Sequence, residues 1–98
     1  SPTPEHQLIV SNLTASLREY FRRHAIAGAL PDVEFALSLS VEDRVRPDLA
    51  VLLHDRWRSL NRRKIPISGS PNIAVEVISP TERTTDSTRK VRTPDLVR

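Results

Sequence analysis

Two carboxylates lie in apolar stretches that are typical of buried strands. Glu76 lies within the stretch 72–79, and Asp48 lies at the start of the apolar run that continues to residue 53. Ionised carboxylates are costly to bury unless they pair with a cation or bind a metal ion. Two of them on neighbouring strands therefore predict a site, and their oxygen atoms favour a divalent cation such as Mg²⁺.

Strand alternation predicts the surroundings of each carboxylate. Because successive side chains point to opposite faces of a strand, Asp48 shares its face with Ala50, and Glu76 shares its face with Ala74. These small neighbours leave room for an ion and its water molecules. If the two strands are adjacent, the carboxylates converge, and a bound ion can activate water and stabilise charge on a phosphate.

Ion pairing is the alternative explanation for the two carboxylates. Arg44 and Arg46 are close to Asp48 in the chain, and structural ion pairs also account for buried carboxylates. A nearby lysine would instead complete a hydrolytic site by orienting water or neutralising phosphate charge. Lys90 is the candidate, because it lies on a segment that can fold back over the strand ends. The pattern alone leaves both explanations open.

The remaining residues predict the elements that position the carboxylates. A helix is predicted from Pro4 to His24, with Thr3 as its cap and apolar residues at helical spacing. Strands are predicted over 33–39, 49–53 and 73–78, the first two paired as an antiparallel hairpin. The second strand should be central because it is apolar on both faces. Residues 54–64 are predicted to form a loop or short helix and 84–91 a second helix, which gives one sheet covered by a helix.

Composition limits the class of protein. The 98 residues allow one small domain, and an aromatic content of 4% requires an aliphatic core. The absence of cysteine excludes disulfides, thiolate zinc sites and thiol catalysis. No apolar run is long enough to span a bilayer, so we expect no membrane partner and a cytoplasmic location. A net charge of +3 is compatible with a nucleic-acid partner, but equally with an ordinary charged surface.

Three motifs follow one another along the chain: residues 46–51 (RPDLAV), residues 69–80 (GSPNIAVEVISP), and the later pair Asp86 and Lys90. In this order they resemble the Uma-two family of restriction-endonuclease-like proteins, and residues 1–7 also match the family's helix start. The resemblance covers residues 1–91 in order. It implies the PD-(D/E)xK nuclease fold: an α/β (α+β) restriction-endonuclease-like core whose N-terminal helix packs on a small mixed sheet.

The resemblance also implies a role for each site residue. Asp48 and Glu76 would bind Mg²⁺ or Mn²⁺, and the backbone carbonyl of Val77 would be a third ligand. The general motif has lysine two residues after the glutamate, where this chain has Ile78. The Uma-two family places its lysine later, on a following helix, which corresponds to Lys90.

Two further positions have both a functional and a structural interpretation. His6 matches the histidine of the family's first helix and is a catalytic candidate, although a histidine in a first helical turn is more often a capping or surface residue. Trp57, flanked by Arg56 and Arg58, could stack on nucleic acid and hold it, or could pack on the sheet edge.

The chain departs from the family pattern at its ends. The family continues past the lysine with a longer helix and another strand, whereas Pro94 should end the helix early here. The strand expected before Ser1 is also absent. We therefore expect a single domain over residues 1–98, incomplete at both ends, whose exposed edges favour a homodimer.

These features together predict a magnesium-dependent endonuclease that hydrolyses phosphodiester bonds in nucleic acid, with DNA as the expected partner. Its catalytic residues would be Asp48, Glu76, Lys90 and His6. The alternative is a degenerate, non-catalytic copy of the nuclease fold that serves oligomerisation or nucleic-acid binding.

Overall fold

The computed structural model describes residues 2–78 and 96–97. It shows a mixed α+β fold in which the N-terminal helix packs on small sheets, as predicted. In chain order the elements are α1 (Pro4–Arg23), β1 (Ala27–Pro31), β2 (Phe35–Ala36), a 3₁₀ turn (Val41–Asp43), β3 (Arg44–Val45), β4 (Leu49–Leu53), α2 (His54–Arg58), β5 (Ile67–Ser68), β6 (Ile73–Val75) and β7 (Leu96–Val97). Within the described part of the chain, no helix is both long and apolar enough to cross a membrane.

Helix α1 forms where its local signals predict it. The Thr3 side chain accepts a hydrogen bond from the backbone N–H of His6 over 3.1 Å, and Pro4 takes the first helical position. Arg22 and Arg23 lie in the last turn, where basic side chains interact favourably with the helix dipole. The predicted helix is therefore confirmed to within one residue at its end.

Strand β4 is central, as predicted. The first sheet has the strand order β1-β4-β6-β7 and the second sheet has the order β3-β2-β5. Strand β4 runs antiparallel to both of its neighbours, so that Gly28 faces Leu52 and Ala50 faces Ala74. Four of its five residues are buried. The described residues thus form two sheets rather than the one that the sequence predicted.

The alternate residues of β4 pack into two apolar clusters. On one face Leu49 packs with Ala29 and Val75 beneath α1, where the covering side chains are Leu13, Leu17 and Phe21. On the other face Ala50 and Leu52 pack with Phe35, and the residues covering this cluster are Leu30, Trp57, Leu60 and Ile67. The first sheet therefore lies between α1 and a layer formed by the second sheet with α2.

The predicted hairpin between residues 33–39 and 49–53 is wrong, because β4 pairs with β1 instead. Strand β1 contains Gly28 and Pro31, which locally indicate a loop. The Trp57 ring lies over Gly28 so closely that a Cβ there would be 2.1 Å from ring atoms. Ala29 directs its carbonyl to Arg18, away from β4. Pro31 lies two residues after Ala29 and also faces away from β4. The N–H that proline lacks would therefore not have bonded to β4.

Other predicted strands are shorter than expected. Of the alternating segment 33–39 only β2 is a strand, while Leu37 and Leu39 are exposed. Alternation of apolar and polar residues favours a strand, but this segment pairs with other strands only at residues 35–36. Strand β6 ends at Val75 rather than at residue 78. Of the loop or short helix predicted for 54–64, the structure shows a short helix at the start, α2, whereas the helix predicted over 84–91 lies outside the described residues.

Candidate metal centre

The two carboxylate positions meet at one end of the first sheet. Asp48 directly precedes β4, and Glu76 directly follows β6. The register that pairs Leu49 with Val75 places Asp48 opposite Glu76 when it is extended by one residue. Residues opposite one another in an antiparallel pair have Cβ atoms about 5 Å apart. The strands that carry the carboxylates are therefore adjacent, which was the condition for their convergence.

The Asp48 carboxylate is held through one of its two oxygen atoms. Its Oδ2 accepts the backbone N–H of Val77 over 2.8 Å and lies 3.2 Å from Nε2 of His6. The backbone carbonyl of Asp48 accepts the N–H of Asp32 over 3.1 Å. No described residue donates a hydrogen bond to Oδ1. Oδ2 is thus fixed in place, whereas Oδ1 receives no hydrogen bond from the part of the chain that the structure describes.

His6 reaches this site from the sheet-facing side of α1. It lies one turn before the buried Val10, and its own side chain is only 14% exposed. A carboxylate accepts hydrogen bonds, so Nε2 carries the proton in this contact. The other ring nitrogen, Nδ1, is buried and has no hydrogen-bond partner among the described residues. His6 is therefore inside the site, not a surface residue.

The arginines considered as ion-pair partners of Asp48 bind elsewhere. Arg44 lies 3.5 Å from Glu34, and the Nε atom of Arg46 lies 3.0 Å from Oδ1 of Asp32. For Asp48, the ion-pair explanation with these two residues is therefore wrong. Asp32 itself was missed by the sequence analysis, although it anchors both Asp48 and Arg46. The signal for it was a Pro-Asp pair at a strand end, which is typical of a turn.

The alanine face is not the space in which an ion would sit. Ala50 is 1% exposed and packs with Phe35 and Leu52 in the second apolar cluster. The expectation that Ala50 leaves room for an ion is therefore wrong, because the second sheet fills that side. Asp48 itself, at the strand end, remains partly exposed.

The donor atoms at these strand ends fit a hard divalent cation. Asp48 and Glu76 contribute carboxylates, and the carbonyl of Val77 is the predicted third oxygen donor. Mg²⁺ is usually held by one or two protein carboxylates and keeps several water molecules. Within residues 2–78 and 96–97, no three His, Asp or Glu side chains are grouped to hold a metal ion. Lys90, the remaining predicted site residue, lies outside the described residues.

Trp57 and its flanking arginines lie at the other end of β4. The Trp57 ring packs on Gly28, which supports the structural interpretation for one of its faces. Arg56 donates to the backbone carbonyls of Ser68 and Ser70, so it anchors the loop before β6. Arg56 is consequently a structural residue, and the role predicted for it in holding nucleic acid has no support from its contacts.

Comparison with known proteins bears on the family and the fold. The family model Uma2, described as "Putative restriction endonuclease", matches residues 1–93. No curated protein matches the chain. The chain is similar to the crystal structure of a putative nuclease belonging to DUF820 from Anabaena variabilis ATCC 29413, with a TM-score of 0.65 and 20% identity. The match covers 92% of this chain and 50% of that one, so this chain spans half the other's length. At this identity the likeness establishes the fold alone.

Proposed function

The chain belongs to the Uma2 family of restriction-endonuclease-like proteins, and from this membership we propose that it is a metal-dependent endonuclease acting on nucleic acid. The observation that carries the proposal is the arrangement around Asp48. Its Oδ2 is bound by His6 and Val77, its Oδ1 is unclaimed by the described residues, and Glu76 directly follows β6, the strand that pairs with β4.

In this proposal Asp48, Glu76 and the carbonyl of Val77 hold Mg²⁺ or Mn²⁺. Such an ion, when bound, supplies activation of water and neutralisation of charge on the phosphate. In the reaction a water oxygen bonds to phosphorus and the bond to one sugar oxygen breaks, which leaves a phosphate monoester and a hydroxyl group. We propose DNA as the substrate, with which the net charge of +3 is compatible, and a cytoplasmic location.

His6 and the Val77 N–H act as positioning groups. Both bind Oδ2, so the carboxylate plane of Asp48 is set before any ligand arrives. Partners of this kind orient a metal-binding side chain and raise the affinity of its site. Pre-orientation also reduces the entropy lost when the reacting groups are brought together. Lys90 is the proposed residue for orienting the attacking water or neutralising phosphate charge.

The proposal is tested by comparing the intact chain with Asp48→Asn. Asparagine keeps the size of the side chain and can still accept from Val77, but it lacks the negative charge. We expect Mn²⁺ affinity, measured by calorimetric titration, to fall at least about tenfold. We also expect metal-dependent cleavage of single- or double-stranded DNA, followed on gels, to disappear. Equal metal binding and equal cleavage by both proteins would refute the assignment.

Asp55→Asn is the matched control, because Asp55 lies in α2 with its side chain 96% exposed. This variant makes the same chemical change away from the site and should leave metal affinity and cleavage as they are. If the intact chain binds nucleic acid but cleaves neither DNA nor RNA with either metal, the protein is a non-catalytic module and hydrolysis is excluded.

A further inference from the structure

A second concave surface lies along β1, near the end of β4 away from Asp48. We call it the Trp57 groove; it has a volume of about 540 Å³ and lies between α1 and the segment 57–67, with Arg18, Trp57, Arg62, Lys64 and Ile65 among its lining residues. This volume is in the range of ligand sites in proteins. The groove is separate from the candidate metal centre, since none of its lining residues is Asp48, His6 or Val77.

The charged residues that line the groove are all basic. Arg18 and Arg22 lie on the α1 side, and Arg62 and Lys64 lie on the opposite wall. Arg22 is already paired with Glu19 over 2.7 Å. Arg62 and Lys64 are both exposed, and neither of them forms an ion pair with a described residue. Among the described residues, the groove therefore presents positive charge without a paired acid on this wall, beside an apolar floor.

Trp57 provides an aromatic surface within this positive field. One side of its ring is covered by Gly28, and the guanidinium of Arg62 lies 5.7 Å from the ring centroid. A side chain that already stacks with a cation can accept another flat group in its place. Aromatic rings next to arginine and lysine are the combination that binds single-stranded nucleic acids by base stacking and phosphate contacts.

An acidic peptide is the competing ligand for a groove beside β1, which is the edge strand of the first sheet among the described strands. A peptide that extends the sheet would hydrogen-bond to the outward backbone groups of β1. However, Arg18 already donates its Nε to the carbonyl of Ala29 over 3.2 Å, in the middle of that edge. This contact blocks strand addition and leaves stacking and charge as the available means of binding.

We infer that the Trp57 groove binds a nucleotide of a single-stranded nucleic acid, with its base against Trp57 and its phosphates at Arg62 and Lys64. The inference rests on the proposed function only in taking nucleic acid as the substrate. Gly28 pairs with Leu52, four residues after Asp48, so the groove lies about 14 Å along the strand from the metal centre. A bound strand would reach from one to the other within a few nucleotides.

The chain's single tryptophan allows a direct measurement. The intact chain is titrated with an oligothymidylate of eight nucleotides in EDTA, and tryptophan fluorescence is followed at several salt concentrations. We expect saturable quenching and an affinity that decreases with salt. An oligonucleotide of equal length without bases should bind more weakly, by roughly tenfold, and should not quench.

The double variant Arg62→Gln/Lys64→Gln keeps Trp57 and removes both phosphate contacts. We expect roughly tenfold weaker binding, and the slope of log affinity against log salt should decrease by about 1.4, or about 0.7 per lost contact. Arg23→Gln/Arg63→Gln is the matched control, because both residues are exposed and neither lines the groove. It makes the same change in charge and should bind within about twofold of the intact chain, given that nonspecific attraction is weak at this net charge.

Three results would overturn the inference: no quenching by the oligonucleotide, equal loss of affinity in both double variants, or binding of oligoglutamate as tight as that of the oligonucleotide. Because EDTA is present, the outcome is independent of catalysis. Binding in the groove without any cleavage in metal would refute the proposed hydrolysis alone. Metal-dependent cleavage with unchanged binding by Arg62→Gln/Lys64→Gln would refute the groove alone.

Discussion

Val77 donates its backbone N–H to Oδ2 of Asp48 over 2.8 Å. This bond joins the residue before β4 to the segment after β6, beyond the last pair of the ladder, Leu49 with Val75. His6 reaches the same oxygen atom from α1 over 3.2 Å. A helix and two strand ends are therefore linked through one carboxylate oxygen, and changes in any of them should affect the candidate metal centre.

His6→Ala should weaken both folding and metal binding. The change removes a hydrogen bond to a charged group, so the free energy of unfolding in urea should fall by about 1–3 kcal/mol. Loss of the group that orients Asp48 should reduce Mn²⁺ affinity about tenfold. His6→Gln, whose amide can still donate, should recover part of the affinity in the same calorimetric titration.

His24→Ala is the control for this variant, since His24 ends the same helix and is exposed beside Tyr20. Its unfolding free energy should change by less than about 1 kcal/mol, with no change in metal affinity. A comparable loss of Mn²⁺ affinity in both histidine variants would mean that His6 has no special relation to Asp48.

The variant Arg46→Gln tests whether Arg46 pairs with Asp32, as observed, or with Asp48, as the ion-pair explanation expects. Arg46 pairs with Asp32, and both side chains are largely exposed, so the unfolding free energy should change by less than about 1 kcal/mol. Removing the partner of a buried carboxylate would instead cost about 3–5 kcal/mol. Urea unfolding distinguishes the two, and a large loss would indicate that Arg46 neutralises Asp48 after all.

Thr3→Ala should loosen the turn that carries His6. The Thr3 hydroxyl caps the helix by accepting the His6 N–H, and loss of such a cap costs about 1 kcal/mol. Mn²⁺ affinity should also fall, but by less than in His6→Ala, because the imidazole is still present. Thr3→Ser retains the capping oxygen and should behave as the original chain; equal destabilisation by serine and alanine would contradict the capping role.

The two glycines should respond to alanine for different reasons. Gly28→Ala places a methyl group 2.1 Å from the Trp57 ring, and overpacking of this kind costs about 1–3 kcal/mol or more. The ring must move, so tryptophan emission should shift. Unchanged emission in Gly28→Ala would contradict the packing.

Gly69 has a φ of 86°, and a Cβ added there would lie 3.5 Å from Arg56, which is an ordinary contact distance. Gly69→Ala should therefore cost about 1–2 kcal/mol through backbone strain alone.

The elements with local signals were predictable. Helix α1 has its cap at Thr3, proline at its first position and apolar residues at helical spacing, and these act within a few residues. Strand β4 is apolar on both faces, and this property by itself indicates a central position. Both predictions hold because the determining interactions are close in sequence or depend only on burial.

The partner of β4 was not predictable from local pattern. Gly28 and Pro31 indicate a loop, and the alternating residues 33–39 indicate a better strand. Trp57 packs on Gly28 so closely that only a residue without a side chain fits there, and Pro31 faces away from β4, so both residues are compatible with a paired strand. Neither condition is visible until distant segments are packed together.

The sequence by itself determined that Asp48 and Glu76 need a partner, since a carboxylate within an apolar strand is costly, and its ordered motifs indicated the family. Only the tertiary structure decided that Asp48 is bound by His6 and Val77 while Arg44 and Arg46 pair with other acids. The physical reason is that hydrogen bonds and ion pairs depend on distances of a few ångströms. Those distances are set by the packing of α1 on the sheet and by the register of β4 against β6.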